Sequence, residues 1–230
     1  VKLKKLPRDF GNLIRLRSLA LTTQQRRLPE KVIGSLTSLR YLMIEECSNL
    51  EFLCDGMQYL IALRTLVIGD CERLVSLPRG MKYLTALEKL VIWNCEKLNL
   101  MVEQEGEEDM RASLGSLRLL VVGRLPNLVA LPRWLGGAAA NTLKQIRIRH
   151  CLNLTALPEW LEDLKLLEKL TLLECPELTS LPEGMHRLTT LGELRISDCP
   201  ELIRTCQRLT GENWHKIAHV PDIYLDNVKI

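Results

Sequence analysis

A short apolar alternation followed by a cysteine recurs along the chain. Leu42-x-Ile44-x-x-Cys47 is repeated by Leu66-x-Ile68-x-x-Cys71 and Leu90-x-Ile92-x-x-Cys95. It returns as Ile146-x-Ile148-x-x-Cys151, Leu170-x-Leu172-x-x-Cys175 and Leu194-x-Ile196-x-x-Cys199. Two further copies lack the thiol: Leu19-x-Leu21, and Leu120-x-Val122 with Leu125 in the cysteine column. Alternation with period two predicts a short strand with one buried face. A second phrase, Leu-x-x-Leu-Pro, follows in Leu74–Pro78, Leu128–Pro132, Leu154–Pro158 and Leu178–Pro182, with Cys54 standing in for proline after Leu50–Leu53. Proline cannot donate to a sheet ladder, so it marks where the chain has left the strand.

Eight in-phase copies predict a solenoid, because one unit cannot enclose its own leucines and stacked units can. The expected fold is an α/β solenoid of leucine-rich repeats. A parallel sheet of about eight short strands lines its concave face, and irregular, 3₁₀ or short helical segments form the convex side. Residues 1–230 are expected to form one such solenoid, with repeats in 1–203 and a C-terminal cap in 204–230. Leu3-x-x-Leu6-Pro7 reads as the second half of a repeat, so the front is expected to be an open edge cut from a larger protein. In the cap, Gly211-Glu212-Asn213-Trp214-His215-Lys216-Ile217-Ala218-His219 predicts a short helix whose Trp214, Ile217 and Ala218 cover the last repeat. Ile223, Leu225 and Val228 are expected to extend that cover.

The cysteine column invites a metal or disulfide reading. Ligands must converge on a point, whereas register spreads these thiols along a ladder at about 5 Å per step. Disulfides need facing Cβ atoms, and in register they run parallel. A buried thiol ladder bonded to nearby carbonyls is favoured, which implies a reducing compartment, the cytosol or nucleus. Asn153-Leu154-Thr155 is a glycosylation sequon, but its Leu154 occupies a core position. His215 and His219 have the i, i+4 spacing of a helical metal pair without a third ligand in frame.

The period is broken between Cys95 and Leu125, where segment 100–113 carries Glu103, Glu105, Glu107, Glu108 and Asp109. A solvated loop is the simpler reading, and an electrostatic latch against a basic surface is the sharper one. Gly136–Asn141 adds a slack turn. Composition narrows the function classes. The net charge of +3 is dispersed, so bulk charge makes no case for nucleic acid. No apolar run is long enough for a membrane helix, and Val1–Lys5 do not form a signal peptide. There is no phosphate-cradling glycine loop and no catalytic grouping, so neither an enzyme nor a cofactor is expected.

If strand leucines point inward, the residues between them line the concave face. Candidate partner-binding residues are then Tyr41, Met43, Glu45, Val67, Val91, Trp93, Arg124, Arg147, Arg149, His150, Lys169 and Arg195. They form zones: an acidic edge (Glu45, Glu46, Asp70), an apolar middle (Val67, Val91, Trp93, Val121) and a basic patch (Arg124, Arg147, Arg149, His150). Tryptophan beside arginine is a composition common at interface hot spots. The competing reading is that valine is merely a good strand former and Trp93 folds over a neighbour.

The Leu-x-Ile-x-x-Cys-x-x-Leu-x-x-Leu-Pro unit resembles the repeats of plant intracellular immune receptors, the nucleotide-binding leucine-rich-repeat proteins of the coiled-coil class. The tail Cys199-Pro200-Glu201-Leu202, Cys206 and Gly211–His219 resembles their C-terminal ends. The resemblance implies a protein-recognition and autoregulatory domain of a plant disease-resistance protein. Its implied partners are a pathogen effector or guarded host protein, together with an upstream nucleotide-binding domain of the same chain. The alternative is the substrate-recognition arm of a ubiquitin-ligase adaptor. An extracellular receptor ectodomain fits poorly with the cysteine ladder.

Overall fold

The computed structural model describes residues 2–101 and 114–230. The acidic run Glu103–Asp109 lies outside the described residues. Eight strands arise at the eight predicted alternations: β2 (Ser18–Thr23), β3 (Tyr41–Glu45), β4 (Thr65–Gly69), β5 (Lys89–Trp93), β6 (Leu119–Gly123), β7 (Gln145–Arg149), β8 (Lys169–Leu173) and β9 (Glu193–Ser197). Each pairs in parallel with the next, without slippage: Leu42, Leu66, Leu90, Leu120, Ile146, Leu170 and Leu194 lie in one row. These side chains are essentially fully buried. A one-residue slip would turn every one of them outward, which is why the register holds across all eight strands.

The proline phrase works as a turn initiator. Pro78, Pro132, Pro158 and Pro182 are extended, and each carbonyl accepts from the amide three residues on, opening the 3₁₀ turns Arg79–Tyr83, Arg133–Gly136, Glu159–Asp163 and Glu183–Arg187. Cys54 does the same job for Asp55–Tyr59, with φ −114° and a 3.2 Å bond from the Met57 amide. An extended backbone with a free carbonyl is all the position requires, so proline is helpful there without being necessary. The slack stretch Gly136–Asn141 closes as a further 3₁₀ turn, Ala138–Asn141. The leucines after each turn (Leu60, Leu84, Leu164, Leu188) return to the core. Helix α1 (Glu30–Gly34) takes the convex position of the second unit.

The cysteines form the predicted ladder. All eight are free and buried. Those in the repeat column direct Sγ at the carbonyl two residues upstream, from 3.2 Å at Cys71 to 3.6 Å at Cys175. Burial pushes the Cys54 thiol up to about 11 and the Cys206 thiol to about 12.

Both ends depart from expectation. Among the described residues the sheet has eleven strands. At the front, β1 (Lys2–Leu3) pairs with Thr22 and Thr23 of β2, so Leu3 is the tail of a strand rather than a post-strand leucine. Leu6 and Pro7 keep their predicted places at the entry to the 3₁₀ turn Arg8–Asn12. At the back, helix α2 (Pro200–Thr205) is followed by α3, which spans only Trp214–Ile217. Ile217 is buried and Trp214 packs on the core, but Ala218 is exposed and takes no part in the cover. Ile223 and Leu225 lie in β10 (Asp222–Leu225), which adds to β9 in parallel and in register. The chain then reverses through Asp226 and Asn227, both at positive φ, into antiparallel β11 (Val228–Lys229). Two consecutive left-handed residues are the requirement of a type I′ hairpin turn. Val228 falls on its outer side, 64% exposed, and is not part of the cover.

The polar residues of the tail fasten this cap. Asn213 Nδ2 donates to Thr205 Oγ1 at 2.8 Å, and Thr205 Oγ1 donates in turn to the Leu202 carbonyl at 3.1 Å. Lys216 is 6% exposed, and its ammonium reaches the Leu181 carbonyl at 2.8 Å and Glu183 at 2.7 Å. His219 Nε2 lies 3.1 Å from the Leu188 carbonyl, while His215 faces Glu183 at 3.8 Å. The two histidines therefore serve separate repeat contacts. Among the described residues no helix is long and apolar enough to cross a membrane.

Candidate functional site

Alternation places every second strand residue on the concave side, and the in-register pairing turns these residues into three rows. The first runs Tyr41, Thr65, Lys89, Leu119, Gln145, Lys169 and Glu193. The second runs Met43, Val67, Val91, Val121, Arg147, Thr171 and Arg195, and β10 adds Tyr224. The third runs Glu45, Gly69, Trp93, Gly123, Arg149, Leu173 and Ser197.

Trp93 has a specific seat. A Cβ built on Gly69 would lie 2.0 Å from its Nε1 and 2.6 Å from its Cε2, so the indole rests on the bare glycine backbone. The neighbour-folding reading of Trp93 is therefore correct in part. The ring nevertheless remains half-buried, and its N–H has no hydrogen-bond partner among the described residues. On the opposite side, Gly123 presents no side chain, and a Cβ there would meet only Arg149, at 3.2 Å from its carbonyl oxygen. Trp93 thus stands between two glycines, facing an exposed Arg149 across one of them.

The charged candidates divide into engaged and free. Lys169 lies 3.7 Å from Glu193, and Arg195 donates to Glu193 at 2.9 Å while stacking 4.1 Å above the Tyr224 ring. Arg195 beside Glu193 holds that carboxyl below the usual carboxylate range. Arg147 reaches Gln145 at 3.4 Å, and Tyr41 donates to the Met43 sulfur at 3.0 Å. Arg124 and Arg149 form no side-chain hydrogen bond or ion pair among the described residues. They are the uncommitted cations of the basic patch.

Glu46, Asp70, Arg124 and His150, expected on the concave face, lie instead at a corner just beyond the strands. Glu46, Asp70, Asn94, Arg124, His150, Glu174 and Asp198 all adopt left-handed φ of 49–55°. This bend aims each amide at the next unit: Asp70 N reaches Trp93 O at 3.2 Å and Arg124 N reaches Arg149 O at 2.9 Å. Asp198 has no ninth repeat to reach, and its amide instead donates to Asp226 Oδ1 at 2.9 Å. Side chains along the corner pair with one another, Lys2 with Glu46 at 2.7 Å, Asn94 with Asp70 at 2.5 Å and His150 with Glu174 at 2.7 Å. The predicted acidic edge is therefore partly spent inside the chain, and Glu45 is its one acid without a hydrogen bond or ion pair among the described residues. The His150 contribution to the basic patch is likewise held by Glu174.

Sequence reasoning missed three features of this face. Gly69 and Gly123 were visible as breaks in an otherwise side-chain-bearing row, and they signalled the Trp93 seat. Tyr224 belongs to the second row only because β10 joins the sheet. The left-handed corner carried its signal in Asp70, Asn94 and Asp198, the residue types that tolerate positive φ best.

No curated protein matches the chain. Among solved structures it is similar to the leucine-rich repeat domain of the type III effector XCV3220 (XopL), with TM-score 0.74 and 22% identity over 98% of this chain and 73% of that one. The plant peptide hormone receptor RGFR1 in complex with RGF2 matches at TM-score 0.41 and 17% identity, covering 87% of this chain and 40% of that one. The first likeness establishes the leucine-rich-repeat solenoid. A family model, plant disease resistance protein RPS2-like leucine-rich repeats, matches residues 55–176, just over half of the chain. On that match, the chain belongs to the family of plant disease resistance protein RPS2-like leucine-rich repeats.

Proposed function

We propose that this domain is the protein-recognition and autoregulatory module of a plant immune receptor, and that it binds a pathogen effector or a guarded host protein through its concave face. The observation that carries the reading is the third row, where Trp93 stands between Gly69 and Gly123 beside the uncommitted Arg149. A rigid aromatic with a free N–H next to unpaired guanidinium groups supplies the anchor and the orienting charge of an interface hot spot. Tyr41, Met43, Val67 and Val91 extend the apolar side of that surface, and Arg124 and Arg147 the basic side. Eight unpaired buried thiols suit a reducing compartment and support a cytosolic or nuclear site of action. Contact with an upstream nucleotide-binding domain of the same chain is part of the proposal and rests on the family resemblance.

The test is capture of partners from plant extract on the immobilised repeats, compared with a Trp93→Ala/Arg149→Glu variant of unchanged melting temperature. Loss of specific partners from the variant is expected. Capture of the same partners in the same amounts would remove the concave face from the assignment.

A further inference from the structure

A second surface carries unspent chemistry. It lies at the corner where the chain enters the strands, in the first three repeats. The residue just before each strand pair forms a column reading Arg17, Arg40, Arg64, Glu88, Arg118, Lys144 and Glu168. Each carbonyl in it is fixed by two amides of the next unit, as Arg17 O is by Arg40 N at 2.8 Å and Tyr41 N at 3.0 Å. Farther along, opposite charges in adjacent units neutralise one another: Arg64 with Glu88 at 3.4 Å and Lys144 with Glu168 at 2.6 Å. Arg17 and Arg40, like Arg118, stand outside these pairs. They are like charges in adjacent units, both exposed, and neither forms a side-chain hydrogen bond or ion pair among the described residues. Like charges in adjacent units cannot neutralise one another, so both guanidinium groups stay open to an external anion.

Beside them rises an apolar wall. Tyr59 is 55% exposed and Ile61 is 62% exposed. Tyr83, 47% exposed, follows Tyr59 in the same column of the next 3₁₀ turn. The Tyr59 ring packs over Gly34, its Cδ2 3.0 Å from where a Gly34 Cβ would be. Arg17, Arg40, Tyr59 and Ile61 line one groove of about 610 Å³ together with Thr37 and Ser38. Beyond Tyr59 the surface continues past Glu30 and Lys31, whose opposite charges add no net field.

We propose that this groove is a binding site, separate from the concave face, for an acidic peptide segment of a protein partner. Carboxylates of the segment engage the forked guanidinium groups of Arg17 and Arg40, and an adjacent apolar side chain packs on Tyr59 and Ile61. Guanidinium matches carboxylate in planar, bidentate geometry. Tyrosine offers a large apolar face at low entropic cost. A bare phosphate would satisfy the arginines and leave the apolar wall exposed, and that unmet surface is what selects a peptide.

Fluorescence anisotropy of a short fluorescein-labelled peptide alternating Asp with Leu and Phe tests the site on the whole chain. Arg17→Glu/Arg40→Glu is expected to weaken binding by at least about tenfold, the scale of a lost charge-assisted pair. Tyr59→Ala is expected to weaken it several-fold, and Trp93→Ala to leave it unchanged. All of these positions are at least partly exposed, and equal melting temperatures confirm equal folding. Arg17→Gln/Arg40→Gln, which removes the charge without reversing it, is expected to give an intermediate loss. Binding indifferent to both arginine pairs would overturn the proposal. So would equal binding of a peptide with Ser in place of Leu and Phe, complete displacement by inorganic phosphate, or a preference for anionic lipid vesicles over the peptide.

Discussion

Two glycines in one row of the sheet should respond in opposite ways to the same added methyl group. Replacing Gly69 by Ala puts a Cβ 2.0 Å from Trp93 Nε1 and 2.8 Å from Cδ1. Carbon contacts are comfortable at about 3.5 Å, so the indole must retreat by about 1.5 Å or leave its seat. Crowding of this kind costs about 1–3 kcal/mol. Against it stands the gain from removing a glycine from a strand, about 0.5–1 kcal/mol. Neither glycine has positive φ, so backbone strain does not enter. The net expectation for Gly69→Ala is a loss of about 1 kcal/mol or somewhat more, read as a fall in melting temperature of about 2–5 °C. At Gly123 the nearest atom to a new Cβ is Arg149 O at 3.2 Å, a contact relieved by a few tenths of an ångström. Gly123→Ala should therefore be neutral or slightly stabilising. Calorimetry supplies the two melting temperatures, and ¹⁹F NMR of 5-fluorotryptophan-labelled protein follows the Trp93 resonance. A shifted Trp93 signal and lowered melting temperature in Gly69→Ala alone is the expected pair of results. Equal melting temperatures for the two variants, with the Trp93 resonance unmoved, would refute the seating of Trp93 on Gly69.

Three other outcomes follow from the same structure. All eight thiols are buried, so native protein should resist a thiol-specific disulfide reagent at neutral pH and react fully only in denaturant; rapid native labelling would contradict the ladder. Cys54 and Cys206 hold their protons up to about 11 and about 12 in the fold, against an ordinary value of 9.0. The unfolded chain therefore loses those protons first, and their stabilising contribution, whole below pH 9, should drain away as pH rises toward 11 and 12. Thermal melts across that range should show a smaller alkaline loss in Cys54→Ala/Cys206→Ala, and an identical slope would count against it. Lys216→Met removes a buried ammonium from the Leu181 carbonyl and Glu183, which should cost about 1.5–3 kcal/mol. Because repeats are coupled mainly to their neighbours, hydrogen exchange should quicken in β9 and β10 and stay unchanged in β3 and β4; uniform quickening would show that the cap is not a local fastening.

The repeat architecture was legible because it depends on local, in-phase signals. Apolar alternation, the cysteine column and Leu-Pro each report one position of one unit, and stacking follows from the inability of a unit to bury its own leucines. Even a substitution such as Cys54 for proline left the turn readable, since only an extended backbone was needed there. The three outward rows were readable for the same reason, because a strand's faces alternate without reference to its neighbours.

Contacts between units were beyond the reach of that reading. That Trp93 lies on Gly69 depends on residues 24 apart meeting in register and on an indole choosing one flank over the other. Whether Glu46, Asp70 and His150 are free or paired was decided between units, where they meet Lys2, Asn94 and Glu174. The closing hairpin was written in Asp226-Asn227 between two short apolar alternations, yet only the parallel docking of β10 on β9 explains why Leu225 is buried while Val228 is exposed. The sequence by itself determined the unit, its period and the faces of its strands, because backbone geometry and burial act within each repeat. The tertiary structure decided which exposed side chains are spent on neighbours and which remain for a partner, because that depends on distances between units that no single repeat encodes.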